Sequence, residues 1–324
     1  MKLLVADVVG GNVTRVFETS EQTRLGAGFY ETQELRPEAI QRTGQSVGEF
    51  AREARRWGTT SLRVIATSAA REARNRDTLV RVLDQVSGVS TEVISGEQEA
   101  EWGFAGVASN PRFNGQSLLV LDVGGGSMEV ILGNGHDRPG RLTFRRSFPL
   151  GSVRLLERHG AGGGVASVQL EAVRQGLRDY FRNEVVPALV SDSQDWRRSR
   201  AVGIGGSTAI LTMIYHACRE FDPELIERTE LSREVLTALV ERLWGLTLAE
   251  RRLVPGLPPE RADVIPFGAA IYEAALLELE LPTLGVSLRG LRYAALITDP
   301  PGLGPDEVVP GPIGGTGPST DAPP

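Results

Sequence analysis

The most informative stretch of the sequence, residues 118–132, places two carboxylates on either side of a glycine-rich turn. An apolar strand predicted over 117–123 brings Asp122 to its end, and a returning strand presents Glu129. The turn between them consists of Gly124, Gly125, Gly126 and Ser127. Glycines let backbone N–H groups converge on an anion, and two carboxylates suit a hard cation such as Mg²⁺ that bridges to phosphate oxygens. The alternative is a tight hairpin with a solvated glutamate.

Two further glycine-rich turns could also bind an anion through their backbone N–H groups. One follows a predicted strand (2–9) that carries Asp7 near its end, and the other lies between a short apolar strand and an apolar helix. Their residues are Gly10, Gly11 and Asn12 in the first, and Gly205, Gly206 and Ser207 in the second. The second has the geometry that binds anions at a helix N-terminus. One such turn is weak evidence, but three in one chain favour phosphate binding.

Two helix starts carry further candidates. At the end of a predicted strand, Thr67 and Ser68 are followed by Arg71, and hydroxyls and a planar guanidinium both suit phosphate oxygens. The alternative is a capped helix with a surface arginine. Glu97 and Glu99 begin another helix, where a glutamate near a phosphate could orient and deprotonate water. Their alternative role is to complement the helix dipole.

Composition excludes several chemistries. The chain has 324 residues, a net charge of −6 and a single lysine, Lys2, so nearly all of its basic residues are arginine. A lysine at position 2 cannot build a Walker-type loop, a Schiff-base site or a kinase-type strand lysine. Phosphate recognition is therefore expected to use turn amides, hydroxyls, a metal and arginine. Cys218 is the only cysteine, which excludes disulfide frameworks and cysteine-based zinc sites.

The elements that must position these residues alternate between strands and helices, which predicts an α/β architecture with mixed sheets. Turn formers at 109–116 mark a boundary between two domains, 1–116 and 117–285, with 286–299 expected to return to the first. Residues 300–324 are rich in proline and glycine and are expected to be disordered. No run approaches the ~18 apolar residues of a membrane span. We expect a cytoplasmic protein that binds neither membrane nor nucleic acid.

At this point the motifs resemble those of the exopolyphosphatase/guanosine pentaphosphate phosphohydrolase family, within the superfamily of actin, sugar kinases and heat-shock ATPases. The likeness runs from residue 2 to about residue 295. Its main motifs are ATSAAREARN (66–75), ISGEQEA (94–100) and LDVGGGSME (121–129). Supporting motifs, in family order, are PLGSVR (149–154), GGST (205–208), ERADVI (260–265) and SLRGLR (287–292).

The resemblance implies two actin-like, ribonuclease H-like domains that face a cleft. It implies removal of terminal phosphate from inorganic polyphosphate or guanosine pentaphosphate, dependent on Mg²⁺ or Mn²⁺, and we expect a homodimer. Glu99 matches the family's water-activating base, and Asp122 and Glu129 match its acidic metal-side positions, with Asp7 as a further candidate. The family's phosphate-binding positions match Arg71, the turn from Gly124 to Ser127, and Gly205 to Ser207. Further candidates for phosphate binding are Gly10, Gly11, Asn12, Arg15, Thr67 and Ser68.

The sequence departs from the family in its first loop. Gly10, Asn12 and Arg15 align only if Asp7 stands one position early, and Val13 replaces a serine hydroxyl. Tyr293 and Ala294 stand where the family's last motif carries a carboxylate and a glycine. Three alternatives therefore stay open, namely a phosphohydrolase specific for guanosine pentaphosphate, a non-catalytic sensor of polyphosphate or alarmones, and an actin-like small-molecule kinase.

Overall fold

The protein is described by a computed structural model over residues 1–135, 141–160, 166–191 and 196–298. The predicted disordered tail, 300–324, lies outside these residues. The strands are β1 (Lys2–Val9), β2 (Asn12–Ser20), β3 (Val64–Ala66), β4 (Thr91–Val93), β5 (Ser117–Val123), β6 (Met128–Asn134), β7 (Arg141–Phe148), β8 (Arg200–Ile204), β9 (Glu230–Ser232) and β10 (Thr283–Val286).

The helices are similarly distributed over both halves of the chain. They are α1 (Phe29–Thr32), α2 (Pro37–Arg56), α3 (Ser68–Glu72), α4 (Arg76–Ser87), α5 (Gly96–Ala108), α6 (Ser152–His159), α7 (Ala166–Tyr180), α8 (Val186–Ser191), α9 (Gly206–Tyr215), α10 (Pro223–Arg228), α11 (Arg233–Gly245), α12 (Leu248–Arg251), α13 (Ile265–Glu278) and α14 (Leu291–Ala295). A π-helical turn, Phe181–Val185, joins α7 to α8. None of the helices in these residues combines the length and apolarity needed to cross a bilayer.

A six-stranded mixed sheet dominates the second half of the chain, in the order β7-β6-β5-β8-β10-β9. Strand β5 is central and almost wholly apolar, as expected for a strand covered on both faces. It runs antiparallel to β6 and parallel to β8. The mixed sheet confirms the predicted α/β class.

The two faces of this sheet pack against different helices. Leu119, Leu121 and Val123 belong to the large core that includes α7, α11 and α13. Leu118 and Val120 point the other way, into a smaller core with Phe104 of α5. Because side chains alternate along a strand, Asp122 shares the face of Leu118 and Val120 and points toward α5. This alternation decides where the site is built.

The first half of the chain forms two small sheets. Strands β1 and β2 pair as an antiparallel hairpin, and β3 and β4 pair in parallel. Helix α2 packs on α4, and Ile40, Val47 and Leu79 contribute to their shared core. Helix α14, from the end of the described chain, packs against α5. The division into domains 1–116 and 117–285, with 286–299 returning to the first, stays a prediction.

Several predicted elements coincide with the structure. Strands 2–9 and 117–123 are found with the predicted bounds, and the helix predicted over 97–108 begins one residue earlier. Strand β7 is not predicted from the sequence, because it is polar and largely exposed and lacks the continuous apolar run of β5. Strand β9 and the short helices α1, α6, α8, α10, α12 and α14 are likewise not predicted from the sequence.

Candidate active site

A row of side chains crosses the sheet where β5 ends. Asp122 lies directly opposite Glu129 in the β5–β6 ladder, and Glu129 lies opposite Ser147 in the β6–β7 ladder. Directly opposed residues project from the same face, with Cβ atoms about 5 Å apart. The Ser147 hydroxyl donates to Glu129 Oε1 over 2.7 Å. Glu129 is only 2% exposed, so the alternative of a hairpin with a solvated glutamate is wrong.

Helix α5 lies over this row and supplies the third carboxylate. The N-cap Ser95 accepts from the Gln98 amide, which fixes the first turn of the helix that carries Glu99. Arg71 Nη1 donates to Glu99 Oε2 over 3.1 Å and to the Ile94 carbonyl over 2.9 Å. Arg71 is therefore more than a surface arginine, because it holds the candidate base in place. We call Glu99, Asp122 and Glu129 the carboxylate cluster.

The carboxylate cluster holds fewer charges than it has acidic groups. Burial raises the pKa of Asp122, and burial together with the Asp122 charge raises the pKa of Glu99 to about 6, against the effect of Arg71. Burial, followed by the charges of Glu99 and Asp122, raises the pKa of Glu129 to about 8. The hydroxyls of Ser147 and Ser127 oppose that rise. Near pH 7, Glu129 therefore keeps a proton while Glu99 is mostly ionised.

The cluster has the donor chemistry for a hard divalent cation. Asp122 and Glu129 are neighbouring oxygen donors whose mutual repulsion raises the pKa of Glu129. Within the described residues, no set of three histidine, cysteine or acidic side chains converges on one metal position. Mg²⁺ sites often use one or two carboxylates and fill the other positions with water and substrate phosphate. The residues present therefore fit such an ion.

The glycine turn beside the cluster is oriented by helix α6. The backbone N–H of Ser152 donates to the Gly124 carbonyl, and those of Val153 and Arg154 donate to the Gly125 carbonyl. In a trans peptide the N–H points opposite to the carbonyl, so the N–H groups of Gly125 and Gly126 point away from α6. An anion on that side meets two preorganised donors, the arrangement expected of a phosphate-binding turn.

The start of α9 abuts the same cluster. Gly205 adopts φ +91°, and a Cβ at this position would lie 2.7 Å from Asp122 Oδ1, so both the backbone conformation and the available space call for glycine. Because the N-cap residue has no side chain, it cannot cap the first amides of α9. Tyr272 Oη donates to the Ile204 carbonyl over 3.1 Å and accepts from the Val123 amide over 3.2 Å. Tyr272 thus ties the ends of β5 and β8 together below the site.

Lys2, which the sequence analysis set aside, reaches this region from β1. Its Nζ lies 3.7 Å from the position that a Cβ would occupy on Gly206, and Arg261 Nη2 lies 3.8 Å from the same point. Surrounding protein and repulsion from Arg292 lower the pKa of Lys2 to about 8, while Asp122 acts in the opposite direction. The residue nevertheless remains exposed. A lysine therefore lies beside this helix start, and its role there is a matter for proposal.

The first glycine turn lies elsewhere. Gly10 and Gly11, with φ +56° and +77°, form a two-residue hairpin turn whose Cβ positions face open space. Asp7 is exposed near this tip, opposite Thr14, and extended geometry puts it about 17 Å along β1 from Lys2. Arg15 pairs with Glu18 over 3.4 Å. The structure does not bring these residues to the carboxylate cluster, and a role for them in binding stays a prediction.

The remaining candidates divide between the cluster and local contacts. Thr67 hydrogen-bonds to Glu99, whereas the Ser68 hydroxyl donates to Glu72 over 2.7 Å within α3. Ser207 lies against Gly268 of α13, and Asn12 pairs with Val9 beside the hairpin turn. Sequence reasoning missed the contributions of Lys2, Ser147, Gly151, Arg154 and Tyr272. A signal existed only for Gly151 and Arg154, which lie in the PLGSVR motif.

Comparisons with known proteins show relatives and structural neighbours over nearly the whole described chain. Exopolyphosphatase 2 of Mycobacterium tuberculosis is 29% identical over 288 residues, covering 86% of this chain and 87% of the relative. The solved structure of an exopolyphosphatase-like protein superposes with a TM-score of 0.82 at 26% identity, covering 91% of this chain and 93% of that one.

Two more distant structures share the fold. An exopolyphosphatase from Cytophaga hutchinsonii gives a TM-score of 0.79 at 24% identity, covering 90% of this chain and 92% of that one. The Aquifex aeolicus PPX-GPPA enzyme gives 0.73 at 24% identity, covering 92% and 95%. These neighbours confirm the predicted actin-like fold class. The model of the Ppx/GppA phosphatase family matches residues 4–299, nearly the whole described chain, and the protein therefore belongs to that family.

Proposed function

We propose that this chain is a divalent-metal-dependent phosphohydrolase that releases terminal phosphate from inorganic polyphosphate, with guanosine pentaphosphate as a second candidate substrate. The observation that carries the proposal is that Glu99, Asp122 and Glu129 lie near one another and beside two sets of backbone amides, those of the glycine turn and those at the start of α9. The names of the exopolyphosphatase relatives support the choice of polyphosphate.

Glu99 is the group best placed to act on water. Its pKa of about 6 leaves it ionised at neutral pH yet basic enough to accept a proton. A water molecule oriented by Glu99 attacks the terminal phosphorus, and a new P–O bond forms as the bridging P–O bond breaks. The proton of the water passes to Glu99, and the shortened phosphate chain leaves with the electron pair of the broken bond.

Positioning and charge stabilisation account for most of the catalysis in such a reaction. The N–H groups of Gly125 and Gly126 and the first amides of α9 hold phosphate oxygens in line. Arg71 positions Glu99 and has further N–H groups available, because only Nη1 is engaged by Glu99 and Ile94. Asp122 and Glu129 would hold the divalent cation, Mg²⁺ or Mn²⁺, that neutralises charge on the phosphate oxygens.

The test is a side-by-side phosphate-release assay on the purified full chain. Polyphosphate and guanosine pentaphosphate are each supplied with Mg²⁺, then with Mn²⁺, then with a chelator. We expect metal-dependent release from polyphosphate at the higher kcat/KM. Faster release from guanosine pentaphosphate would reverse the order of the two substrates.

Two other outcomes would overturn the proposal. Tight metal-dependent binding with no release from either phosphate chain would identify a sensor, an alternative motivated by the altered first loop. ATP-dependent phosphorylation of a small acceptor would identify a kinase. A cytoplasmic location and a homodimer, both expected from the sequence, stay predictions.

A further inference from the structure

One cation beside the start of α9, Lys2, has no direct partner among the described residues. Lys2 begins β1, opposite Ser20, and its side chain extends to the first turn of α9. Among the residues that the structure describes, no hydrogen bond or ion pair holds its ammonium. The lysine is exposed and therefore accessible to a ligand. Asp122 and Glu18 influence it only through longer-range charge.

Arg292, a cation close to Lys2, already has a carboxylate partner. Arg292 Nη2 pairs with Glu18 over 2.6 Å, and its Nη1 donates to the Leu3 carbonyl over 3.2 Å. Glu18 therefore has its own cation. Arg261 Nη2 reaches the same point above Gly206 as the lysine does, so the like charges of Lys2 and Arg261 converge beside the free amides of a helix start.

Two cations that approach one point favour binding of an anion there, although the nearby Asp122 offsets part of their charge. The amides at the start of α9 carry partial positive charge of the same sign, which adds to the attraction. A lysine ammonium is a compact charge with three donors on a flexible stem, suited to a phosphoryl group whose position varies along a chain. Gly205, the residue before Gly206, lies against the carboxylate of Asp122. The position between Lys2 and Arg261 is therefore next to the carboxylate cluster.

We propose that Lys2 is a substrate-binding residue, whose ammonium and the first amides of α9 together hold a phosphoryl group of the phosphate chain. The inference rests on the proposed function and adds a ligand position to it. The one lysine in this chain of 324 residues lies beside the first turn of α9. It contributes binding rather than chemistry, because among the described residues no hydrogen bond or ion pair joins it to Glu99.

The single lysine makes a direct test possible. The full chain, labelled with lysine carrying ¹³C at Cε, gives one lysine resonance. Tripolyphosphate is titrated in buffer without divalent metal, and sodium chloride is titrated to the same ionic strength as the control. We expect a saturable shift with tripolyphosphate and none with chloride. A resonance that does not move while the protein binds tripolyphosphate would overturn the proposal.

A kinetic arm separates binding from other roles. Lys2→Met is expected to raise KM for polyphosphate about tenfold, the effect of losing one charged hydrogen bond. It should leave kcat within about twofold of wild type, and Lys2→Arg should recover part of the affinity. Arg81→Met, which removes an equal charge from the exposed face of α4, controls for net charge. An unchanged KM, or a loss confined to kcat, would count against substrate binding and assign Lys2 to support of Asp122.

Failure of this inference is distinguishable from failure of the proposed function. If the wild-type chain releases phosphate and Lys2→Met has an unchanged KM, only the role of Lys2 is wrong. If the wild-type chain releases no phosphate from either substrate, the proposed function is wrong, and the tripolyphosphate titration of the labelled chain decides by itself whether Lys2 binds a phosphate chain. Thermal melting of both variants shows whether folding contributes, and the labelled wild-type chain remains a test in either case.

Discussion

The guanidinium of Arg71 donates a hydrogen bond to the carboxylate of Glu99. Its Nη1 atom lies 3.1 Å from Glu99 Oε2 and 2.9 Å from the Ile94 carbonyl, so one donor group joins α3 to the segment that leads into α5. A cation beside a carboxylate favours the ionised form, which opposes the burial that raises the pKa of Glu99. Arg71 thus fixes both the place and the charge of the candidate base.

Glu99→Gln tests the role of Glu99 as base. Glutamine keeps the size of the side chain but cannot accept the proton, so we expect kcat to fall by about 100- to 10,000-fold while binding of tripolyphosphate is retained. Phosphate release gives kcat, and calorimetry gives the dissociation constant. The matched control is Glu101→Gln on the same helix, whose carboxylate pairs with Arg145 at the surface. If Glu99→Gln keeps most of its activity, another group activates the water.

Arg71→Met tests the charge of Glu99. Without the cation, the pKa of Glu99 rises further above its ordinary value. The base works only when ionised, so the acidic limb of the kcat/KM profile should move to higher pH than in wild type. The loss of rate should therefore be larger at pH 6 than at pH 8. A profile that falls by the same factor at every pH would show that Arg71 acts on the phosphate alone.

Glu129 should make the metal-free protein less stable as pH rises. Its pKa is about 8 in the folded chain and near 4.5 when unperturbed, so between these values the folded state binds more protons than the unfolded state. The free energy of unfolding then falls with increasing pH across this window. Glu129→Gln removes this dependence. The melting temperature of the variant, relative to that of wild type, should therefore rise as the pH increases from 5 to 8.

The measurement is thermal melting in chelator at several pH values. Glu49→Gln, on the exposed side of α2, is the matched control for removal of one carboxylate. A melting difference between Glu129→Gln and wild type that stays constant with pH would contradict the raised pKa. Added Mg²⁺ should stabilise wild type more at pH 8 than at pH 6, because the ion competes with the proton for Glu129.

Much of this site can be predicted from the sequence, because many of its residues lie close to one another along the chain. Apolar runs bounded by glycine fix β5 and the turn after it, and the alternation of Leu118, Val120 and Asp122 fixes the face on which the aspartate lies. The approach of Glu99 to Arg71 is not local, since the two residues lie on different helices. Only the family resemblance linked them before the structure did.

The unpredicted parts depend on how distant segments meet. The position of Lys2 in the sequence gives no sign of a role in the site. Its place beside Gly206 follows from the orientation of the β1–β2 hairpin, which no periodicity in the sequence encodes. The same orientation puts the Gly10–Gly11 turn at an exposed tip, although its sequence is that of a phosphate loop. A glycine turn is compatible with both a hairpin and an anion site, so its sequence alone cannot choose between them.

Gly151 gives the sharpest test of the glycine turn, because it lets α6 approach that turn closely. A Cβ at Gly151 would lie 2.5 Å from the carbonyl carbon of Gly125 and 2.6 Å from the Gly126 nitrogen, both backbone atoms that cannot rotate aside. Gly151→Ala must therefore displace the turn or α6. We expect a loss of about 1–3 kcal/mol in stability and, because the phosphate donors move, about 100-fold in kcat.

The matched control is Gly176→Ala, on α7, where an added methyl group meets nothing within 4 Å. Alanine is favoured over glycine in a helix by about 1 kcal/mol, so this variant should be as stable as wild type or more so, with full activity. Melting temperature and phosphate release are measured for both. The two losses in Gly151→Ala have different causes. The loss of stability reports on the packing of α6, whereas the loss of kcat reports on the substrate-binding amides of Gly125 and Gly126. If Gly151→Ala melts lower but turns over normally, the amides of the glycine turn do not hold the reacting phosphate, and binding must depend on α9 and the carboxylate cluster instead.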